Sequence, residues 1–129
     1  MQTDTQPTCE DRIDTSLARR LEDLNRMLNS DDEDEREELY DYALSFDYVE
    51  PDTFDDQPIG YWRYQLSWGG PSDEFRIFHN GLRVWKVTYH FQDWFDGAFR
   101  DVTDNTVVRQ LVDWLDPWME NQPEPHKYV

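Results

Sequence analysis

The chain of 129 residues carries 29 acidic and 12 basic side chains, which give a formal net charge of −17 at pH 7. This length builds one hydrophobic core, and this charge disfavours DNA, RNA and anionic membrane surfaces as ligands and favours cationic ones. The sequence lacks an apolar run of roughly 20 residues and a signal-peptide pattern, and its single cysteine, Cys9, cannot form an internal disulfide, so we expect a cytoplasmic protein.

Two amphipathic helices are predicted near the N-terminus. Apolar residues over 13–28 recur at spacings of three and four, which places them on one stripe of a helix. A second helix is expected over residues 34–46, because carboxylates crowd its first turn and Leu39 and Phe46 supply an apolar face. The prolines and aspartates of residues 47–60 indicate an acidic loop after it.

A change to period two then predicts three strands. Residues 61–68 alternate between large apolar and polar side chains, as a half-buried strand does. A turn with two glycines and a proline separates this strand from a second over residues 74–79, and a third follows over residues 82–91. The short connections favour antiparallel pairing.

The Asn80-Gly81 pair indicates a tight hairpin between the second and third strands. If these two residues form the whole loop, Ile77 lies opposite Val84 and Phe78 shares a face with Val87. Both faces of the sheet are then substantially apolar. Helices would cover one face, and more of this chain or a second copy would cover the other, so a homodimer is possible.

A third helix is predicted from apolar positions that repeat at three and four between residues 108 and 115, and it should end before Pro117. The fold expected is therefore α+β, with two N-terminal helices, a three-stranded antiparallel sheet and one C-terminal helix. It forms a single domain over residues 1–129, with loose tails at 1–10 and 120–129.

The sequence is rich in aromatic side chains, and nine of them are expected to build the core. They are Trp62, Tyr64, Trp68, Trp85, Phe91, Trp94, Phe95, Trp114 and Trp118. On a basic protein, such rings would suggest stacking on single-stranded nucleic acid, but the net charge argues against that use.

No catalytic pattern is present. The three histidines lack metal-ligand spacing, one cysteine cannot form a zinc knuckle, and residues 31–38 lack the glycine and the spaced glutamate of a calcium loop. A solvated acidic run also gives all its carboxylates one environment, whereas acid–base catalysis needs two. We therefore expect a protein that is not an enzyme and that has no catalytic residues, metal or cofactor.

The acidity is concentrated in the first half of the chain. Residues 1–60 hold 19 acids and 5 bases, whereas residues 61–129 hold 10 acids and 7 bases. Two interpretations follow. Dense carboxylates on rigid elements imitate the phosphates of DNA. Alternatively, an acidic coat with few lysines is expected of a halophile, but such a coat should spread over the whole surface.

Two segments resemble small acidic proteins of plasmids and phages: residues 61–76, YWRYQLSWGGPSDEFR, and residues 93–98, DWFDGA. No residue roles follow from the resemblance. A mobile-element origin implies an inhibitor of host defence, either anti-CRISPR or anti-restriction.

The leading hypothesis is a non-enzymatic DNA mimic that occupies the basic surface of a nucleic-acid-binding protein or complex, without contacting nucleic acid or membrane. The alternatives are an antitoxin-like or regulatory protein-binding module and a solvated acidic coat. The predicted partner-binding residues are Asp31, Asp32, Glu33, Asp34, Glu35, Glu37, Glu38, Asp41, Asp47, Glu50, Asp52, Asp55 and Asp56.

Overall fold

A computed structural model describes residues 7–120, which contain three helices and five strands. Their bounds are α1 Cys9–Asn29, α2 Glu33–Tyr42, β1 Ser45–Val49, β2 Tyr61–Ser67, β3 Ser72–His79, β4 Val84–Asp93, β5 Asp96–Asp101 and α3 Thr106–Glu120. The strands form one antiparallel sheet in the order β1-β2-β3-β4-β5. Each strand therefore pairs with its neighbours in sequence.

The prediction of a three-stranded sheet is wrong, because the sheet has five strands. The two N-terminal helices, the C-terminal helix and the α+β class are confirmed. The three predicted strands correspond to β2, β3 and β4. Strands β1 and β5 extend the sheet by one strand at each edge.

Strand β1 takes residues that were expected at the end of a helix. The helix predicted over residues 34–46 ends at Tyr42, and Phe46 lies in β1. Phe46 stacks on Trp62 with 5.2 Å between ring centroids, and Tyr48 meets the same ring edge-on at 5.3 Å. These cross-strand contacts outweigh the helical spacing of Phe46, since local propensity is weak against tertiary packing.

Strand β5 is held against the start of α1. The Cys9 N–H donates to the Asp96 carboxylate at 2.7 Å, and its thiol donates to the Asp96 carbonyl at 3.4 Å. Cys9 is thus a buried helix residue and not part of a loose tail. Burial, followed by the charge of Asp96, raises the pKa of the thiol. Residues 1–6 of the predicted tail lie outside the described range.

The β3–β4 hairpin has a longer loop than predicted. The Asn80 N–H donates to the Arg83 carbonyl at 3.0 Å, and the Asn80 side-chain oxygen accepts from the Leu82 and Arg83 N–H groups at 2.9 and 3.0 Å. The loop therefore has four residues and not two. This change alone would shift the pairing by two residues and leave each side chain on its predicted face.

A bulge beyond this loop exchanges the two faces of β4. His79 pairs with Val84 but Phe78 pairs with Lys86, so one residue of β4 is left over. Ile77 consequently pairs with Val87, and the predicted Ile77–Val84 pair is wrong. Because side chains alternate along a strand, the extra residue brings Val87 onto the face of Ile77 and leaves Phe78 on the opposite face.

Helix α3 continues past Pro117 to Glu120, so the prediction that it ends before the proline is wrong. Leu115 and Met119 on either side of the proline are both buried. This packing holds the last turn in place despite the backbone hydrogen bond that a proline cannot donate. Residues 121–129 lie outside the described range.

All three helices contribute to the core on one face of the sheet. The fully buried members include Ile13, Leu24, Phe75, Ile77, Val87, Tyr89, Val108 and Leu111. We call the opposite side of the sheet its outer face. By alternation from Tyr64 and Phe75, the outer face carries Arg63, Glu74, Arg76, Lys86, Thr88 and His90.

Candidate protein-binding surface

Helix α2 carries most of the predicted partner-binding residues and is fixed at both ends. The Asp32 carboxylate accepts the Asp34 N–H at 2.8 Å and so caps the helix. At the C-terminal end, the Tyr42 hydroxyl accepts from Arg20 at 3.1 Å and donates to Asp23 at 2.7 Å. Side chains on this helix are therefore presented on a rigid element.

Five carboxylates of this segment are exposed and form no salt bridge with any residue between 7 and 120. We call Asp31, Glu33, Asp34, Glu37 and Asp41 the α2 carboxylates. Four of them lie on α2 between Glu33 and Asp41, and at a rise of 1.5 Å per residue they span about 12 Å of the helix axis, an average of about 4 Å from one charge to the next. One strand of B-DNA has a similar spacing, of about 3.4 Å per phosphate.

Three other predicted residues of this segment have structural roles. Asp32 caps α2, while Glu35 and Glu38 each accept from Arg26 at 3.1 Å. The Ser30 hydroxyl donates to Glu35 at 2.5 Å, and this bond, followed by those from Arg26, lowers the pKa of Glu35. These contacts tie α2 to α1 and leave less of their charge for a partner.

The remaining five predicted residues lie apart from α2: Asp47, Glu50, Asp52, Asp55 and Asp56. Asp47 lies in β1, so the predicted acidic loop begins later than expected, and its carboxylate accepts from Arg63 at 2.8 and 3.2 Å. Asp55 and Asp56 line a groove on the outer face with Arg63. The thirteen predicted residues therefore do not form one surface.

The groove on the outer face is not an acidic surface. It has a volume of about 680 Å³, and its charged lining residues are Asp55, Asp56, Arg63, Glu74, Arg76 and Lys86. Three negative charges meet three positive ones. Arg76 also donates to Glu74 at 2.6 Å. A partner selected by negative charge would consequently bind α2 rather than this face.

An apolar groove lies beside α2, between its C-terminal end, β1 and α3. Its volume is about 390 Å³, and its lining is mainly apolar, with Leu39, Tyr40, Leu44, Phe46, Trp114 and Trp118 among the lining residues. Sequence patterns did not identify it, because Trp114 and Trp118 were assigned to the core. Only the packing of α3 against α2 brings these rings to one edge.

The prediction that nine rings build the core is only partly confirmed. Trp62, Tyr64 and Phe91 are buried, and Trp114 is partly buried and packs against the core. Trp68, Trp85, Trp94, Phe95 and Trp118 are exposed, which contradicts the prediction for them. Trp94 and Phe95 form the tight turn between β4 and β5, where Trp94 has a φ of 59°. Their exposure follows from that turn, because its side chains point away from the sheet.

The buried carboxylate Asp73 serves the fold. It accepts from Arg20 at 2.8 and 2.9 Å, from Ser67 at 2.5 Å and from Tyr89 at 2.5 Å. These donors, one guanidinium and two hydroxyls, hold the buried carboxylate in place between α1, β2 and β4. Among residues 7–120, no three His, Cys, Asp or Glu side chains are placed to hold a metal ion.

His90 occupies a protected position on the outer face. Its Nε2 lies 2.9 Å from the Thr88 hydroxyl, and its ring stacks on Phe99 with 5.4 Å between centroids. Burial, followed by the positive charges of Arg76 and Lys86, lowers the pKa of His90 to about 3. His90 is therefore neutral in the folded protein at physiological pH.

We expect acidification to destabilise the protein through His90. In the unfolded chain this histidine takes up a proton near pH 6.5, whereas in the folded chain it does so only near pH 3. Unfolding therefore becomes more favourable as pH falls through this window, by up to about 1.4 kcal/mol per pH unit. Urea melts between pH 7 and 4 should show a shallower loss for His90→Gln. Equal slopes would contradict the assignment.

No helix among the described residues is long and apolar enough to cross a lipid bilayer. No family model, curated protein or solved structure matches the chain.

Proposed function

We propose that this protein is a non-enzymatic inhibitor whose α2 carboxylates occupy the cationic nucleic-acid site of a larger protein. The observation that supports this function is a set of five exposed carboxylates, four of them on a helix fixed at both ends, that form no salt bridge with any residue between 7 and 120. Along the helix axis, the four carboxylates on α2 lie about 4 Å apart on average, which is close to the rise of about 3.4 Å per phosphate along one DNA strand. Because the backbone of α2 is already fixed, binding to a basic cleft costs little backbone conformational entropy.

The proposed binding surface is smaller than the sequence suggested. It contains Asp31, Glu33, Asp34, Glu37 and Asp41, and it leaves out the acids that cap α2, pair with Arg26 or lie away from the helix. We propose a DNA-binding defence complex of the host cytoplasm as the target. The role that we propose is anti-CRISPR or anti-restriction.

An antitoxin-like or regulatory module is the second candidate, and the apolar groove beside α2 favours it. Such a module would neutralise one basic protein through a surface that differs from that protein's nucleic-acid site. A solvated acidic coat, the third interpretation, would need no partner.

Capture from host extract at two salt concentrations tests these functions. The immobilised chain should retain a nucleic-acid-binding protein at about 0.05 M salt and release it at about 0.5 M, where the Debye length falls to a few ångströms. Excess unrelated duplex DNA should displace that protein from a mimic. Retention that duplex DNA does not affect would favour the regulatory module, and retention of no basic protein would favour the solvated coat.

A further inference from the structure

A row of three aromatic rings borders the apolar groove, in which Tyr40 and Trp118 are exposed and Trp114 is partly buried against the core. The rings of Tyr40 and Trp114 lie 5.3 Å apart, and those of Trp114 and Trp118 lie 5.1 Å apart. Tyr40, Leu44 and Trp118 are 65%, 62% and 44% exposed. Tyr and Trp are the residues most often found at the energetic centres of protein interfaces, and clustered apolar exposure of this kind marks a binding surface.

The same row of rings borders two of the α2 carboxylates. Tyr40 and Trp114 also line a second groove of about 320 Å³, together with Glu33, Arg36 and Glu37. Glu33 and Glu37 are four residues apart and so share one side of α2. Negative charge and apolar surface consequently lie side by side, with the aromatic row between them.

Charge complementarity selects the occupant of this surface. A second copy of this chain would bring another net charge of −17 to an acidic helix, and nucleic acid would bring phosphates to it. A cationic protein segment brings no such like-charge repulsion and is attracted to the helix instead. The apolar groove, at about 390 Å³, is at the small end of the range of about 300 to 1,000 Å³ for ligand pockets, which suits one or two apolar side chains.

We propose that the apolar groove binds an aliphatic or aromatic side chain of a basic segment of the partner, while lysines or arginines of that segment contact the α2 carboxylates. This inference rests on the proposed function and adds the chemistry of the partner to it. An amphipathic basic helix has the required pattern, because its apolar side chains and its charges lie on adjacent sides. The apolar contact provides specificity that screened charges alone do not.

Two fluorescent peptides of about 14 residues serve as probes. One is an amphipathic helix of lysine and leucine, and the other has the same lysines with serine in place of leucine. Anisotropy at moderate salt should show that the wild-type chain binds the leucine peptide at least about tenfold more tightly, as expected for burial of one leucine side chain. Equal affinities would overturn the inference.

Variants of the groove locate the contact. Leu44→Ser with Trp118→Ala should abolish the preference for the leucine peptide and leave affinity for the serine peptide unchanged. The matched control is Trp94→Ala with Phe95→Ala, which removes two exposed rings from another part of the chain. An equal loss in the control, or no loss in the groove variant, would overturn the inference. Leu44→Ser alone, at a largely exposed position, gives the same test if the double variant melts early.

The proposed function can fail separately from this inference. If amides at all five α2 carboxylates leave affinity for the serine peptide unchanged, the proposed function fails. If that affinity falls but the leucine preference does not depend on Leu44 and Trp118, only the inference fails. Light scattering tests whether a second copy of this chain occupies the groove instead. If the wild-type chain is a dimer and the groove variant is a monomer, the proposal is overturned.

Discussion

Replacement of the α2 carboxylates by amides is expected to weaken partner binding about a hundredfold while the fold stays intact. The change converts Asp31, Asp34 and Asp41 to Asn and Glu33 and Glu37 to Gln. These groups form no salt bridges within the described chain, so their loss removes mutual repulsion, but it also removes the favourable interaction of Glu33 and Asp34 with the dipole at the N-terminus of α2. Asp34→Asn alone should weaken binding by about 0.5 kcal/mol, and all five together by about a hundredfold. Titration of the retained host protein and a thermal melt provide both measurements.

A second set of five acids gives the matched control for this experiment. Amides at Glu50, Asp52, Asp55, Asp56 and Asp104 change the net charge by the same amount, and all five positions are exposed. This control should retain most of the affinity at moderate salt, because its charges lie away from α2. An equal loss in both sets would show that only net charge matters. Full binding by the α2 variant would refute the assignment of the surface.

Salt should affect the two components of binding differently. The contribution of the α2 carboxylates weakens as ionic strength rises, since exposed charges are screened over about 10 Å at 0.1 M. The contribution of the apolar groove does not weaken in this way. A pure mimic would therefore lose its partner completely at high salt, whereas a partner anchored at Leu44 and Trp118 would retain a residual affinity.

The helices were predictable because each depends on a local pattern. The apolar positions of residues 13–28 fall on one side of a helix over their whole length, and all of these residues lie within α1. Strand β1 was not predictable, because Phe46 fits either a helical face or a strand. Only contact with Trp62, sixteen positions away, decides between them. The bulge after Val84 likewise has no local signature.

The candidate site was only partly predictable for the same reason. The acidic run that begins at Asp31 is evident in the sequence, and it does lie on an exposed helix. Which carboxylates are available depends on Arg26, which pairs with Glu35 and Glu38 from another helix. The chain also reverses direction after α2, so Asp55 reaches the opposite side of the sheet. Grouping acids by their closeness in sequence therefore predicted a larger acidic surface than the fold forms.

Removal of the Asp73 carboxylate is expected to cause the largest loss of stability of any single change considered for this chain. The Asp73 side chain is 2% exposed, and it holds two nitrogens of Arg20 together with the hydroxyls of Ser67 and Tyr89. Asp73→Ala removes the charged partner of a partly buried guanidinium and leaves Arg20 only its bond to Tyr42, and it leaves the Tyr89 hydroxyl only its bond to Ser16. Loss of one member of a buried ion pair costs about 3 to 5 kcal/mol, which is a large part of the stability of a small domain.

The acid response of the same carboxylate can be separated from that of His90. Burial opposes ionisation of Asp73, but the bonds from Arg20, Ser67 and Tyr89 outweigh it and hold the pKa below its usual value. A carboxylate with a lowered folded pKa stabilises the native state above the unfolded pKa, near 3.9, and this contribution is lost as pH falls through the folded pKa. Asp73 should therefore affect stability below about pH 4, whereas most of the His90 effect, which extends from about pH 6.5 to about 3, lies above that pH.

A surface ion pair provides the control for the stability measurement. Asp14 accepts from Arg100 at 3.0 Å, but its side chain is 71% exposed, so Asp14→Ala should cost less than about 1 kcal/mol. Urea melts at pH 7 measure both variants. Because the core, rather than surface charge, holds the sheet that supports α2, Asp73→Ala should also weaken partner binding near its lowered melting temperature. Equal losses in the two variants would refute the structural role of Asp73.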